Sequence, residues 1–306
     1  MQAPQSTAKA AAWMSGWLTL MLVIAVAGRE AARELSVFQL MEMRSVIGLG
    51  LLWPLVRAAG GAASLKTQRL REHGLRNSVH YAAQYAWFAA LTLIPLAQVV
   101  AIEFTMPIWI IVLAAVFLGE CITAGKVLAV ALGLLGVALI VRPGTSGLSP
   151  GQLVALGAAL GFAVSVTMVK SLTRTDSATT IMFWMLIVQS LLGLGPALWL
   201  WRWPSATVWA WVLLVAFCGT FSHYCMARAM RHADATVVMP MDYLRVPLTA
   251  LAGWLIYAER MDLLTVAGTA LILGGNLLNL RGAGPAPQAR AKPPPRDGSP
   301  PRDVLD

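Results

Sequence analysis

Five charged residues lie inside long apolar segments, where a charge is costly unless it faces a cavity or a partner. They are Glu42, Arg44, Glu103, Asp242 and Arg245. On membrane-insertion scales a charge at the centre of a helix costs about 2.5 to 3.5 kcal/mol, so such residues mark a transport pathway or a buried ion pair. The three acids and two arginines sum to one negative charge, which favours a cation, a zwitterion or protons over an anionic substrate.

Helical periodicity limits which of these charges can meet. Glu42 and Arg44 are separated by about 160° around a helix and cannot line one face, whereas Asp242 and Arg245 are about 60° apart and can pair. An ion pair between Arg44 and Glu103 is the structural interpretation of the remaining charges. The functional alternative is that Glu103 takes up a proton or a cationic group. We expect Glu103 and Asp242 to lie on opposite sides of the membrane midplane and to carry protons.

Three prolines fall close to these charges, inside segments that otherwise have the pattern of a helix. Pro107, Pro240 and Pro247 each remove a backbone hydrogen bond, and free carbonyl groups at membrane depth are tolerated mainly where they are buried or line a cavity. We therefore expect the segments that contain them to border the pathway. A simple kink without a ligand is the alternative for any single proline.

Aromatic side chains with polar atoms, together with an amide, recur in two other apolar segments. The residues concerned are Tyr81, Gln84 and Tyr85, and His223 and Tyr224. They combine apolar area with a few polar anchors, which suits a planar or amphipathic organic solute. Packing between helices is the alternative, and it is the interpretation that we favour for the neighbouring His80.

The elements that position these residues are predicted from apolar runs bounded by Gly, Pro and charge. Of the 306 residues, 58% are hydrophobic and only 12% are charged, against about 25% charged in an ordinary soluble domain. The pattern predicts an all-α membrane protein with ten transmembrane helices. They lie near residues 11–28, 36–57, 76–93, 97–118, 124–141, 150–170, 180–200, 206–230, 235–257 and 262–280.

The basic residues predict the orientation of these helices. With the N-terminus inside, 16 of the 23 Lys and Arg residues fall on the inner side, five fall outside and two lie within helices. Short cytoplasmic loops carry such an excess, so we expect cytoplasmic N- and C-termini in the inner (plasma) membrane. Residues 282–306 turn to Gly, Pro and charge, which predicts a disordered cytoplasmic tail.

The second half of the chain repeats the first at a fixed offset of 139 residues. The offset aligns Gln84 with His223, Tyr85 with Tyr224, Glu103 with Asp242, and Glu120 with Glu259. Five helices in each half is an odd number, so residues 11–142 and 150–281 are predicted to form two inverted five-helix repeats with a binding site at their interface. Glu120 and Glu259 follow helix ends, and we interpret them as capping or anchoring residues.

Several functional classes lack their motifs in this chain. There is no His-Glu-x-x-His zinc motif, no Gly-x-Ser-x-Gly elbow and no phosphate-binding loop, so neither an enzyme nor an ATP-driven pump is indicated. Cys121, Cys218 and Cys225 are odd in number and are interpreted as buried hydrophobes. The net charge of +9 is scattered along loops and tail, so nucleic acid is not an expected partner. A channel would require rings of equivalent groups.

A set of short motifs resembles the EamA-type members of the drug/metabolite transporter superfamily over roughly residues 12–281. The motifs are Ala-Leu-Thr-Leu-Ile-Pro-Leu-Ala at 90–97, Pro107, Phe117-Leu118-Gly119-Glu120, Ala227-Arg228-Ala229-Met230, Ala258-Glu259 and Gly274-Gly275. The second copy departs from the pattern, because Ala258 replaces the glycine before the acid and Pro240 and Pro247 bracket the equivalent of Pro107. The resemblance implies two five-helix halves and a secondary transporter for a small organic solute.

These observations together predict transport of a small organic metabolite or drug-like solute by alternating access. Coupling to protons is expected, and export is favoured over import. The expected partners are the solute, protons and the lipid bilayer, a homodimer is left open, and no cofactor or metal is expected. Channel-like activity and an intramembrane enzyme are the alternatives.

Overall fold

The computed structural model describes residues 6–118, 124–141, 149–172, 175–230, 232, 238, 241–242 and 244–282. In these residues the chain is helical, without β-strands. The helices are α1 (Thr7–Ala31), α2 (Val37–Ala58), α3 (Leu70–Leu93), α4 (Leu96–Glu103), α5 (Met106–Leu118), α6 (Ala124–Val141), α7 (Pro150–Leu172), α8 (Ala178–Trp199), α9 (Ala206–Met230), α10 (Arg245–Tyr257) and α11 (Leu263–Gly282). A short 3₁₀ helix, Gly61–Leu65, precedes α3. The predicted tail beyond residue 282 lies outside the described residues.

Local signals explain where several helices begin. The side chains of Ser6, Ser36 and Ser177 each accept a hydrogen bond from a backbone N–H in the first turn of α1, α2 and α8. Such caps satisfy N–H groups that have no partner within the helix. The third helix begins at Leu70, earlier than the predicted residue 76, because the polar first turns of α3 belong to the helix although they lack its apolar pattern.

The fourth predicted helix is two helices. The helix α4 ends at Glu103, Phe104 and Thr105 form a turn, and α5 begins at Met106. Pro107 has no N–H for the carbonyl of Glu103, so the ladder of backbone hydrogen bonds stops there. Pro107 lies in the first turn of α5, where backbone N–H groups have no partner within the helix, so its missing N–H removes no hydrogen bond from α5. Pro247 lies in the first turn of α10 in the same way.

Helices of the first half pack mainly against helices of the second half. The main contacts join α1 to α9, α3 to α7, α2 to α8, α6 to α11 and α4 to α10. If each helix is replaced by its counterpart in the other half, the pair α1–α9 becomes α7–α3. The other three pairs, α2–α8, α6–α11 and α4–α10, stay the same. The packing therefore has an approximate twofold relationship between residues 7–141 and 150–282.

The outer surface of the bundle is apolar. Leu191 and Leu255 are 71% and 66% exposed, and Trp199 and Trp203 are exposed at one end of α8. Within the described residues, five stretches are long and apolar enough to cross a membrane: Thr7–Ala31, Leu96–Leu113, Pro150–Val169, Ala178–Trp199 and Ala206–Met226. A surface of this kind is stable against lipid acyl chains. The predicted number of ten spans stays a prediction.

Candidate functional site

A buried cluster of charges lies where α4 meets α10. The guanidinium of Arg245, at the start of α10, lies 2.9 Å from Glu103 Oε1 at the end of α4 and 3.4 Å from Asp242 Oδ2. Arg245 and Asp242 are 4% and 8% exposed. One cation therefore contacts two acids in a region of low dielectric constant, which leaves the cluster with one negative charge.

Two indole groups complete the contacts of the acids. Trp17 of α1 donates from Nε1 to Asp242 Oδ1 at 2.6 Å, and Trp87 of α3 donates from Nε1 to Glu103 Oε2 at 2.9 Å. The ring of Phe104 lies under the guanidinium, 4.8 Å from its central carbon.

The helix break that positions Glu103 is supported by a side chain from the last helix. Asn276 of α11 donates from Nδ2 to the carbonyl oxygen of Phe104 at 2.8 Å. This bond satisfies a carbonyl group in the turn between α4 and α5, which would otherwise be costly at membrane depth. Sequence reasoning missed Asn276, although a buried amide in an apolar helix is a usable signal.

The cluster corrects one interpretation of the charges. Glu103 pairs with Arg245, whereas Arg44 donates to Gln84 Oε1 at 2.6 Å. The ion pair between Arg44 and Glu103, one of the two alternatives for these charges, is therefore wrong for this conformation. The placement of Glu103 and Asp242 on opposite sides of the midplane stays a prediction, and both acids reach the same guanidinium. Only tertiary packing could bring them together, because the two acids belong to different helices.

Arg44 forms a second buried centre, between α2, α3 and α9. Its side chain lies against Gly219 of α9, where an added Cβ would meet Arg44 Nε at 2.8 Å. Tyr85 lies one position beyond Gln84 on α3 and packs its ring 4.4 Å from that of Phe38. Of the side chains predicted for a solute site, Gln84 contacts Arg44 here, whereas Tyr85 packs against Phe38.

Glu42 points in a different direction from Arg44, as periodicity predicted. Its Oε2 atom and the Tyr81 hydroxyl both lie against Gly193 of α8, and neither atom has a hydrogen-bond partner among the described residues. Both side chains are buried. This pocket is separate from the contacts of Arg245.

The remaining predicted residues are not brought to these centres. Tyr224 is 43% exposed and packs edge-on against Trp13, with ring centroids 5.9 Å apart. Pro107 is half-buried near the break. His223 lies in α9, but its side chain, like Pro240, lies outside the described residues. His80 contacts Ser165 of α7, in agreement with a packing role.

Polar contacts close the end of the bundle at which α1 begins, here called the first end. His73 Nε2 lies 2.6 Å from Asp176 Oδ2, and Thr67 donates to the same oxygen at 2.7 Å. Burial alone would raise the pKa of Asp176, but hydrogen bonds from His73, Thr67 and Thr175 hold the pKa below its ordinary value. Arg69 donates to the carbonyl of Ser171 at 2.8 Å. These contacts join the α2–α3 connection to the α7–α8 connection beside a cavity of about 750 Å³.

A second set of contacts closes the opposite end of the bundle. The carboxylate of Glu34 accepts from the backbone N–H of Ser205 at 2.6 Å and from its hydroxyl at 2.8 Å. Glu259 forms an ion pair with Arg29 and accepts from the backbone N–H of Leu96 at 3.0 Å. Glu259 is therefore an anchor, as the sequence predicted, whereas Glu120 lies outside the described residues.

Comparison with known proteins gives two matches to one family. The model of the EamA-like transporter family matches residues 10–142 and again residues 149–281. Both boundaries of the second match are shifted by the 139-residue offset seen in the sequence. The chain therefore contains two copies of the family's unit.

Individual relatives are named as transporters of different solutes. A riboflavin transporter from Brucella anthropi is 30% identical over 77% of this chain and 85% of the relative. An S-adenosylmethionine uptake transporter from Rickettsia prowazekii is 27% identical over 85% and 90%. A pseudopaline exporter from Pseudomonas aeruginosa is 30% identical over 80% and 86%.

A solved structure has the same fold. One crystal structure superposes with a TM-score of 0.63 at 20% identity, covering 90% of this chain and 97% of the other. That likeness concerns the arrangement of helices alone.

Proposed function

Because this chain belongs to the EamA-like transporter family, we propose that it moves a small organic solute by alternating access, with the Arg245 cluster contacting the solute. It is a multi-pass membrane protein and a transporter of small solutes, not an enzyme. The mechanism, the coupling and the direction are the proposal.

The contact of Arg245 with both acids is the observation that carries the proposal. Buried ion pairs contribute little net stability to a fold. A gain in stability is therefore a weak reason for these charges to be buried. Two guanidinium atoms of Arg245, Nε and Nη1, have no hydrogen-bond partner among the described residues. They are available to an acceptor atom of a solute, while Glu103 and Asp242 can receive a donor or a cationic group.

The packing of the two halves supports alternating access. Transporters with inverted repeats bind solute near the membrane midplane and rock one unit against the other. Here the contacts through Asp176 close the first end and those through Glu34 close the opposite end. We assign the first end to the cytoplasm, because the excess of Lys and Arg lies there. Opening one set of contacts while the other holds would expose the Arg245 cluster to one side.

The surrounding side chains favour an amphipathic solute with a ring. Trp17, Trp87 and Phe104 provide apolar area around the charged groups, which suits a planar group that carries polar substituents. The relatives named for riboflavin and S-adenosylmethionine make these two compounds the first probes. Export is the proposed direction, and the relatives include both an exporter at 30% identity and an uptake transporter at 27%.

Counterflow in proteoliposomes tests the proposal. Vesicles preloaded with unlabelled riboflavin or S-adenosylmethionine should accumulate the labelled compound with saturable kinetics, and Glu103→Gln or Asp242→Asn should reduce the initial rate. Glu72→Gln is the control, because Glu72 is an acid at the first end that pairs only with Arg69 in the described residues.

Two results would contradict the proposal. A conductance far above carrier turnover would indicate a channel. Unchanged counterflow in both acid variants would remove the Arg245 cluster from the pathway. Flux in right-side-out and inside-out vesicles then decides the direction.

A further inference from the structure

A buried carboxyl group, that of Glu42, faces the middle of α8, and its Oε2 atom has no hydrogen-bond partner among the described residues. An added Cβ at Gly193 would lie 2.8 Å from Glu42 Oε2 and 2.9 Å from the Tyr81 hydroxyl oxygen. Both oxygens therefore lie against the backbone of Gly193, where a side chain would collide with them. Glu42 is 5% exposed and Tyr81 is 8% exposed. We call the space between Glu42, Tyr81, Gln189, Ser190 and Gly193 the carboxyl pocket.

The other groups of the carboxyl pocket are neutral. Gln189 lies one turn before Gly193 on the same face of α8 and is 0% exposed, and both atoms of its amide lack a partner among the described residues. Ser190 lies beside Glu42. Glu42, Tyr81 and Gln189 are buried and each has a polar atom without a partner among the described residues, although native proteins normally pair such atoms. The carboxyl pocket therefore has the polar composition of a binding site for a proton or a small ion.

No cation among the described residues balances a charge on Glu42. The helix α8 has no ionisable side chain, and Arg44 on α2 is engaged with Gln84. The ionisable groups on the other helices that pack against α2 include Tyr81 and Tyr85 of α3 and the buried Cys218 of α9. Arg76 of α3 donates to Asn77, and His80 of α3 contacts Ser165 of α7. Burying an unpaired carboxylate is costly, and such a group usually becomes neutral instead.

The sum of the interior charges also favours a neutral Glu42. The five interior charges sum to −1 when every group is ionised, and they sum to zero when one acid is protonated. Glu103 and Asp242 each contact Arg245 and an indole N–H. Glu42 has neither contact. It is the acid among the three on which the balancing proton belongs.

We propose that the carboxyl pocket is the proton-binding site of this transporter and that Glu42 holds the proton in the conformation seen here. The carboxylate takes a proton from hydronium, leaving water and a neutral carboxyl group whose O–H can donate within the pocket. Separation of α2 from α8 would admit water and release that proton. The coupling rests on the proposed transport function, whereas the protonation of Glu42 does not.

A metal ion is a poorer occupant of the pocket. The described residues contain no group of three or more His, Cys, Asp or Glu side chains that could hold a metal ion. One carboxylate with neutral oxygens provides few ligands for a cation such as Na⁺. A proton needs only one acceptor and a neutral surrounding.

Infrared difference spectroscopy of the full-length protein in nanodiscs tests the protonation. The spectrum of the wild type minus that of Glu42→Gln should contain the C=O stretching band of a protonated carboxyl group at neutral pH. The band should shift in D₂O and disappear at high pH. Glu72→Gln, which changes a half-exposed acid, should remove no such band.

Absence of the band at neutral pH would overturn the assignment, and so would a band that Na⁺ abolishes at constant pH. Neither result depends on knowing the solute. A failure of this test is therefore distinct from a failure of counterflow.

Gly193→Ala tests the pocket itself. The added methyl group would meet only the ends of two side chains, so the variant should fold while it displaces Glu42 and Tyr81. It should shift the pH at which the carboxyl band disappears and change the pH dependence of counterflow. Gly195→Ala is the matched control, because nothing lies within 4 Å of its added Cβ. Equal behaviour of the two variants would contradict the proposal.

Discussion

Arg245 in α10 forms a 2.9 Å ion pair with Glu103 in α4, across the junction of the two halves of the chain. Each residue lies at a helix end created by a break near a proline, Pro247 and Pro107. Breaks of this kind direct side chains and backbone groups into the bundle at membrane depth, which is where discontinuous helices of secondary transporters bind their solutes. The pair therefore joins the fold to the proposed function.

Arg245→Gln should be strongly destabilising as well as inactive. Removing the guanidinium leaves Glu103 and Asp242 as buried carboxylates without a cation, and breaking a buried pair in this way costs about 3 to 5 kcal/mol. The double variant Arg245→Gln with Glu103→Gln should recover part of that stability, because it removes one uncompensated charge. Thermal unfolding in detergent measures the stability, and counterflow measures the activity. Equal stability of the single and double variants would show that the acids are not coupled through Arg245.

Gly136→Ala should separate α6 from α11. A Cβ at this position would lie 2.5 Å from the carbonyl oxygen of Gly268, and a Cβ at Gly268 would meet the carbonyl oxygen of Gly136 at the same distance. Backbone atoms cannot move as a flexible side chain can, so we expect a loss of about 1 to 3 kcal/mol. Gly274→Ala on α11 is the control, since its Cβ would meet nothing within 4 Å. A similar melting temperature for both variants would contradict this close contact.

Ala258→Gly should stabilise the protein. Ala258 follows α10 with φ 55°, the left-handed region that costs a residue with a Cβ atom about 1 to 2 kcal/mol. Glycine removes that cost but loses more backbone entropy on folding, so the net gain should be at most about 1 kcal/mol. Ala59→Gly is the matched control, because Ala59 follows α2 with φ −84°. The melting temperature should rise only for Ala258→Gly, and a fall would mean that this strain is absent.

Asp176→Asn should weaken the first end in a pH-dependent manner. The pKa of Asp176 is held below its ordinary value, so its contribution to stability is fully present above that value, about 3.8, and is lost as the pH falls through the lower folded value. The stability difference between wild type and Asp176→Asn should therefore be constant at neutral pH and shrink in strong acid. Unfolding followed at a series of pH values measures it. A difference that grows as the pH falls would contradict the sign of this prediction.

Residue types and their order along the chain suffice to identify the class of the protein and its candidate pathway residues. Hydropathy is a property of composition along the chain, so the apolar segments and the charges within them, from Glu42 to Arg245, could be read without coordinates. The 139-residue offset likewise needs only the residues, and it paired Glu103 with Asp242. Local rules also predicted that Glu42 and Arg44 face different neighbours, because helical periodicity fixes directions within one helix.

Which of these groups meet depends on how the helices pack against one another. Arg245 rather than Arg44 reaches Glu103, Trp17 reaches Asp242, and Asn276 reaches the carbonyl of Phe104. The carboxyl pocket depends on Gly193, because a side chain there would collide with Glu42 Oε2 and the Tyr81 hydroxyl. These contacts depend on the rotation and depth of each helix relative to its neighbours. Packing over the whole bundle sets those quantities, and no pattern within a single segment encodes them.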